Sequence, residues 1–342
     1  MHANGQIPAY EWAFGDVNPP VHAWAARRVY EIEAEQTGVQ DTAFLKTVFH
    51  KLLLNFTWWV NMKDTDGNNV FQGGFLGLDN ISIFGRSAAL PTGGHIDQSD
   101  GTAWMGFFTL EMFKISLQLA KDDPVYQDLA TKFFEHFLAI AAAMADLEGG
   151  HGLWDPDDGF YYDVLHLPDG SAAQLKVRSL VGLMPLVAVD AIGYDRIEDL
   201  TAFNQRTRWF LENRPEMLQH LNVTQEPGSD GCYLVSVLTK ERVVSLLKYM
   251  LDEDEFLSPH GIRSLSKAHA ADPYRLSFGN ETFQIGYEPA ESAAGLFGGN
   301  SNWRGPVWFP INFLLIEALR EMHRYYGNDL QVEMPTGSTW SA

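Results

Sequence analysis

The sequence predicts an all-α protein of helical hairpins stacked in a ring, with long loops gathered on one face. Two observations carry this. Segments of helical periodicity recur along the chain as neighbouring pairs, and between them lie loops rich in aromatic, acidic and glycine residues, roughly 70 residues apart. No solenoid-type sequence repeat accompanies that spacing. Loops on a rigid scaffold are where sites belong, so the loop face is the expected functional face. The 342 residues are 46% apolar, enough for one large core, and are read as a single domain over 1–342.

The elements follow in order. Gln6 to Pro20 is a proline-stiffened loop containing Glu11, Trp12 and Asp16, a plausible rim element. Asn18-Pro19-Pro20 opens a first helix over about Val21 to Glu35, because proline suits the first turn. Its expected inner stripe is Val21, Trp24, Ala25, Arg28, Val29 and Ile32. Asp41 caps a second helix reaching Met62, with Phe44, Val48, Leu52, Phe56, Trp59 and Val60 at helical spacing and expected in the core. Asp64 to Asn69 is a turn-rich loop. Gly73 to Asn80 follows, then an irregular stretch to Gly94. Asp100 to Trp104 opens a third helix ending near Lys121, and Asp123-Pro124 opens a fourth ending near Glu148. Their short link makes these two antiparallel neighbours. Asp169-Gly170 marks the turn of a hairpin between Tyr161 and Val177. Arg178 to Ala191 and Ile197 to Glu212 read as a fifth and sixth helix, Glu241 to Leu251 as a seventh, and Phe309 to Tyr326 as an eighth. The helices are expected to pair first with second, third with fourth, fifth with sixth and seventh with eighth. Asn213 to Gly231 and Asp252 to Ser301 read as long loops.

Charge narrows the function. A net charge of −20 argues against nucleic acid as a partner, since phosphate binding needs basic patches. The single cysteine, Cys232, leaves no internal disulfide framework. No apolar run reaches membrane-spanning length, and His2 to Pro8 is polar rather than leader-like, so a cytoplasmic setting without a membrane partner is expected.

One carboxyl group, Asp79, stands in the glycine-rich, apolar run Gly73-Gly74-Phe75-Leu76-Gly77-Leu78-Asp79-Asn80. Poor solvation raises the pKa of such a group, which suits a general acid; the plainer reading is a capping or turn aspartate. Four loops repeat the combination of acid, aromatic ring and glycine: Glu11-Trp12 to Asp16, Leu78-Asp79-Asn80, Trp154-Asp155 to Asp163, and Trp303-Arg304-Gly305. A sugar pocket asks for such parts, with rings against pyranose faces, carboxylates and arginines on hydroxyls, and one acid on the glycosidic oxygen. Trp104 and Arg178, at the starts of the third and fifth helices, together with Glu288 and Trp308, complete the candidate substrate contacts. No cofactor is expected. Asp155, Asp157, Asp158 and Asp163 offer oxygen donors for calcium, but without the twelve-residue loop that ends in a closing glutamate. His95, His151 and His166 are not at zinc-like spacing. Phosphate-loop, dinucleotide and serine-nucleophile motifs are absent.

Taken together, Gly-Leu-Asp-Asn at 77–80, the Pro-Pro helix start at 19–20, Trp-Asp-x-x-Asp-Gly-Phe-Tyr-Tyr-Asp at 154–163 and Asn-Trp-Arg-Gly-Pro-Val-Trp at 302–308 resemble glycoside hydrolase family 63, the processing α-glucosidase I type with bacterial α-glucosidase and mannosylglycerate hydrolase relatives. The resemblance covers nearly the whole chain. It implies an (α/α)6 toroid and inverting hydrolysis of an α-linked glucoside or related oligosaccharide. Asp79 is then the general acid, Asn80 its neighbour in the motif, and Trp303, Arg304 and Trp308 the pocket wall. Two departures stand out. Phe75 occupies a position where the eukaryotic glucosidases carry a glutamate. No counterpart of the family's base glutamate is recognised, Glu288, Glu291 and Glu333 reading as loop or surface residues. With eight helices where the barrel has twelve, the chain is expected to be part of a larger catalytic domain, its base lying elsewhere. The alternative is a carbohydrate-binding helical domain without activity.

Overall fold

The computed structural model describes residues 1–10, 14–74, 76–78, 81–86, 88–145, 152–214, 226–289, 306–333 and 339–341. Helices α1 (His22–Thr37), α2 (Thr42–Lys63), α3 (Ser99–Ala120) and α4 (Val125–Ala145) form its first half. The Asp41 cap read from the sequence is found, and α1 ends on a glycine the sequence reading did not single out. Asp41 Oδ1 accepts from the Phe44 N–H at 2.8 Å, and Gly38, at φ 73°, closes α1 by donating to the Ala34 carbonyl. The α2 stripe enters the core as expected, with Leu52, Phe56 and Trp59 buried and Phe44, Val48 and Val60 packed against them.

α3 is the centre of the molecule. All but one of its residues are buried, and it packs against α1, α2 and α4. A helix apolar all round belongs inside. Its polar side chains therefore need partners, and Thr102, Thr109 and Ser116 donate to carbonyls one turn back.

Three expectations are corrected. In α1, Val29 and Ile32 are exposed, whereas Ala23 and Tyr30 are buried. The helix turns its Arg27 side toward α3 because Glu111 there needs a counter-charge. Arg178 to Ala191 is not a helix. Ser179 caps a single turn, α5 (Leu180–Leu183), and Pro185 then removes an amide donor and crowds the preceding turn, leaving a short 3-10 segment. The stretch beyond it, with Val189 and Ile192, becomes β6 (Val189–Gly193), antiparallel to β7 (Cys232–Ser236). The first helix pairs with the second and the third with the fourth as expected, but without a fifth long helix the other two pairs do not form. α6 (Thr201–Asn213) packs on α4, while α7 (Lys240–Met250) and α8 (Phe309–Tyr326) lie against strands: α7 on β3 (Phe160–Tyr161) and β12 (Gln331–Glu333), α8 on β6 and β7.

The remaining strands are short. β1 (His95–Asp97), β4 (Asp163–His166) and β5 (Ala172–Leu175) form one antiparallel sheet whose β4–β5 hairpin turns at Asp169-Gly170, as the sequence predicts. β2 (Trp154–Asp155) pairs with β3 (Phe160–Tyr161). Within the stretch read as loop, β8 (Leu257–Ser258) pairs with β9 (Gly261–Ile262), and β10 (Tyr274–Phe278) with β11 (Glu281–Ile285). β12 (Gln331–Glu333) pairs with β13 (Thr339–Ser341). The fold is thus a helical scaffold with small sheets in its connections. Among the described residues, no helix is long and apolar enough to cross a membrane.

Candidate active site

The segment leading into Gly77-Leu78 is held on the N-terminal end of α3. Gln98, just before that helix, accepts from the N–H groups of Gly73 and Gly74 through one oxygen and donates to the Gly74 carbonyl at 3.1 Å. One turn further on, Thr102 Oγ1 accepts from Phe71 N–H at 3.0 Å. Gly101 has no side chain there because a Cβ would press on the Phe71 carbonyl. The clamped backbone is bent unusually. Gly74 (φ 66°), Leu76 (φ 45°) and Gly77 (φ 72°) all adopt left-handed conformations, and Leu76 does so without glycine's freedom. Strain at a non-glycine residue persists only where its surroundings enforce it, and such residues gather at functional sites.

Arg86 anchors the far end. Its guanidinium donates to the Leu78 carbonyl at 3.3 Å, pairs with the Asp100 carboxylate and lies 3.6 Å from Asp163. Asp163 Oδ1 also accepts from Ser99 N–H at 2.9 Å, at the start of α3. Two buried carboxylates therefore share one guanidinium. Burial, helped by the Asp100 charge and opposed by Arg86, lifts the Asp163 carboxyl to about 6. The floor of the segment is a charged cluster on a helix N-terminus, where carboxylates are favoured.

Two other motif loops reach this segment. The Pro8–Val17 bridge closes the first loop, and the Val17 carbonyl accepts from Leu76 N–H at 3.3 Å. Asp16, buried and accepting from the Tyr10 hydroxyl at 2.9 Å, faces Gly74. The half-buried Trp308 lays its indole against Gly77 so closely that a Cβ there would overlap it. Beside these loops opens a cavity of about 350 Å³, lined by Asp16, Lys63, Gln72, Arg86, His95 and Gln98. Burial lowers the pKa of the Lys63 ammonium, against the pull of Asp16. Phe283 of β11 meets Phe84 edge-on at 4.9 Å, which seats the β10–β11 hairpin over the same region.

The sequence candidates divide into three groups. Glu11, Trp12, Asp79, Asn80, Trp303 and Arg304, with Glu291, lie outside the described residues. Asp16 and Trp308 are brought to the Gly74–Gly77 segment. The others sit apart from that segment, in settings of their own. Trp104, expected on the pocket wall, is 1% exposed and packs edge-on to Phe107 in the core, because α3 is enclosed on every side. Asp155 is engaged in its own turn: it accepts from the N–H groups of Asp157 and Asp158 and pairs with Lys176 at 2.6 Å, which together hold its carboxyl below the usual range against the effect of burial. Lys176 also pairs with Asp158, so an ammonium occupies the place considered for calcium, and Asp163 lies away at Arg86. Trp154 stands edge-on to Tyr161 beneath the Arg242 guanidinium, 4.7 Å from its ring centre.

Arg178 and Tyr287, the neighbour of Glu288, meet at His269. The Arg178 N–H donates to His269 Nε2 at 2.9 Å, and Tyr287, next to the half-buried Glu288, donates its N–H to the His269 carbonyl. Arg178 also pairs with Glu255 at 2.7 Å. The chain links this group toward Trp308: Leu180 N–H bonds the Ser264 carbonyl, and Ser264 N–H bonds the Pro306 carbonyl. Glu333 lies exposed in β12, the surface position expected of it.

Gln98 and the site role of Asp100 escaped the sequence reading, as did Arg86, which no local pattern marks. The one signal of Gln98 and Asp100 is a polar run, Gln98-Ser99-Asp100 with Thr102, opening a helix that is otherwise apolar. A second charged region lies along the other half of α3. Lys114 pairs with Glu111 and Asp190, and Glu111 with Arg27 at 2.5 Å, beside a cavity of about 430 Å³. There burial would raise the Glu111 pKa, but Lys114 and Arg27 lower it further than burial raises it. These groups neutralise one another, and among the described residues none of the motif loops lines that cavity.

Residues 196–336 match the mannosylglycerate hydrolase MGH1-like glycoside hydrolase domain. The chain is 51% identical over 351 aligned positions to the uncharacterized protein YMR196W of Saccharomyces cerevisiae, covering 99% of this chain and 32% of that protein. A 78-residue stretch, 23% of the chain, is 37% identical to the protein of Schizosaccharomyces pombe named "Probable mannosyl-oligosaccharide glucosidase", 7% of whose length it covers. The chain thus spans about a third or less of the curated relatives it matches. In fold it aligns with an uncharacterized conserved protein from Thermus thermophilus, at 14% identity and a TM-score of 0.54, over 94% of this chain and 71% of that one. A GH63 mannosylglycerate hydrolase from the same organism, solved in complex with Tris, aligns at 14% identity and a TM-score of 0.49, over 94% and 73%.

Proposed function

From the premise that the chain is a relative of glycoside hydrolase family 63, carrying its MGH1-like domain, we propose that it forms the catalytic cleft of an inverting α-glycosidase built on an (α/α)6 toroid, with Asp79 as general acid. The observation that carries the reading is the packing of Gly77 on Trp308. It joins the Gly-Leu-Asp-Asn and Trp-Arg-Gly-Pro-Val-Trp motifs, distant in sequence, beside a polar cavity. In this reading Asp79 protonates the glycosidic oxygen of an α-glucoside or related α-glycoside, and Trp308 with Trp303 supports a pyranose face. Asp16 and Arg304 bind hydroxyls. The strained Gly74–Gly77 backbone, held by Gln98 and Arg86, orients the acid without touching the sugar. Inversion calls for a second carboxylate about 6.5–9.5 Å from the acid, leaving room for the attacking water. No metal takes part in this chemistry.

The test is hydrolysis of nitrophenyl glycosides and small α-glucosides, with the first anomer released followed by proton NMR, on the chain and on a version extended past residue 342. An inverting enzyme releases the β-anomer first. Asp79→Asn is expected to keep the circular dichroism spectrum and remove hydrolysis. Unchanged turnover in that variant places the acid elsewhere. Calorimetric binding of the same sugars without turnover in the native protein marks a binding domain instead.

A further inference from the structure

His95 and His166 are separated by 71 positions, and no zinc-type spacing joins them in the sequence. The β1–β4 register sets them directly opposite one another, with ring centres 4.6 Å apart and nearly parallel. Asp97, two residues along β1 and on the same face, is buried between them. His166 Nε2 lies 3.0 Å from Asp97 Oδ2, and His95 Nε2 lies 3.7 Å from Asp97 Oδ1. Asp66, from the turn after α2, brings a second carboxylate oxygen to 3.8 Å from His95 Nε2. That turn is preorganised, since both oxygens of Asp64 accept from the N–H groups of Asn68 and Asn69. His95 Nε2 is itself buried and makes no hydrogen bond. A buried imidazole nitrogen facing carboxylates in this way is costly unless something fills the gap.

We propose that His95, Asp97 and His166, with Asp66 as fourth donor, form a binding site for a zinc-type divalent cation. Two donors each about 2.0–2.1 Å from a tetrahedral ion stand about 3.3 Å apart. The separations of 3.0, 3.7 and 3.8 Å bracket that value, and the ligand atoms of His95, Asp97 and His166 all lie within 4.8 Å of one another. Seating the ion requires the two rings to turn out of their stack so that their lone pairs converge. Their side chains are 35% and 30% exposed, which leaves room for that rotation. Two carboxylates neutralise a dication, and two imidazoles select zinc, cobalt or nickel over calcium and magnesium, which prefer all-oxygen sites. The ion would pin the turn at Asp66 to the β1–β4 pair. Because His95 also lines the 350 Å³ cavity, it would stiffen one wall of the candidate cleft. The site stands on its own residues, independently of the glycosidase reading.

Titration of the chelator-stripped full chain with Zn²⁺ by calorimetry, and with Co²⁺ by visible absorption, reads this site without any assay of turnover. One ion per chain is expected, with the intense bands of tetrahedral cobalt and a raised melting temperature. Loss of a ligand's supporting partner alone weakens metal sites about 10- to 100-fold, so His95→Gln and His166→Gln should each weaken binding by roughly tenfold or more. Asp66→Asn lies on an exposed turn that folds regardless of the site, and it should weaken binding while leaving stability without metal unchanged. Absence of saturable uptake, uptake equally strong in both histidine variants, or competition by excess Ca²⁺ would overturn the proposal.

Discussion

The seat of the Gly73–Gly74 segment on Gln98 can be tested by a change that removes hydrogen bonds without opening a hole. Gln98→Met keeps the length of the side chain and deletes its polar atoms. Gln98 is 2% exposed, and three backbone groups lose their partner: the N–H of Gly73, and the N–H and carbonyl of Gly74. A buried polar group left without a partner costs about 1–3 kcal/mol. Gly74 is half-buried, and the adjoining cavity admits water to part of the break, so the sum should settle near 2–4 kcal/mol. At about 1.4 kcal/mol per tenfold, release of the segment becomes roughly 30- to 1,000-fold easier. Guanidinium denaturation at unchanged m-value measures the stability loss. If the segment carries the acid, kcat should fall by about tenfold or more, with a smaller change in KM, because the lost interaction positions a reacting group rather than binding substrate. Gln98→Ala should add a cavity cost to the same defect. A loss below about 0.5 kcal/mol in Gln98→Met, the scatter of ordinary surface substitutions, would refute the clamp.

Three further outcomes are expected. Gly77→Ala must place a side chain in left-handed backbone, at about 1–2 kcal/mol, and drive it into the Trp308 indole; reduced stability together with a shifted tryptophan emission is the signature, and a native spectrum would show that the two motifs do not touch. Asp163 has its folded pKa raised from 3.8 to about 6, so the native protein keeps a proton that the unfolded chain releases, and this residue works against folding as pH rises from about 4 to about 6. Asp163→Asn should flatten the stability profile across that window, and a slope equal to the native one would discount the shift. Lys114→Met leaves Asp190 buried without its paired cation and Glu111 with Arg27 alone, and should cost about 3–5 kcal/mol; adding Asp190→Asn should recover part of it, which a double-mutant cycle reads directly.

Much of the helical scaffold is legible in the sequence because its signals are local. Asp41 caps α2 through a bond spanning three residues, the α2 stripe follows a 3.6-residue period, and the Asp169-Gly170 turn closes on its own residues, Asp169 Oδ1 accepting from the Ser171 N–H. Where the sequence reading failed, a nonlocal force or a single breaker decided. Pro185 cut the fifth helix short, and the strand after it exists because β7 lies alongside. Val21 and Trp24 of the α1 stripe pack on the core, but Val29 and Ile32 are exposed, as α1 presents Arg27 to Glu111 of α3 in a nonlocal ion pair.

The amino-acid sequence by itself determined all but one of the long helices it predicted, the Asp41 cap and the motifs from which a sugar-cleaving site was inferred, since each rests on residues a few positions apart. Only the tertiary structure decided which of those motifs meet. It set Trp308 on Gly77 and Asp16 by Gly74, withdrew Trp104 into the core and Asp155 into its own turn, and brought His95 opposite His166. Those outcomes depend on strand register and on how a helix buried on every side satisfies its few polar groups. Both are properties of the packed chain and leave almost no trace in the spacing of residues along it.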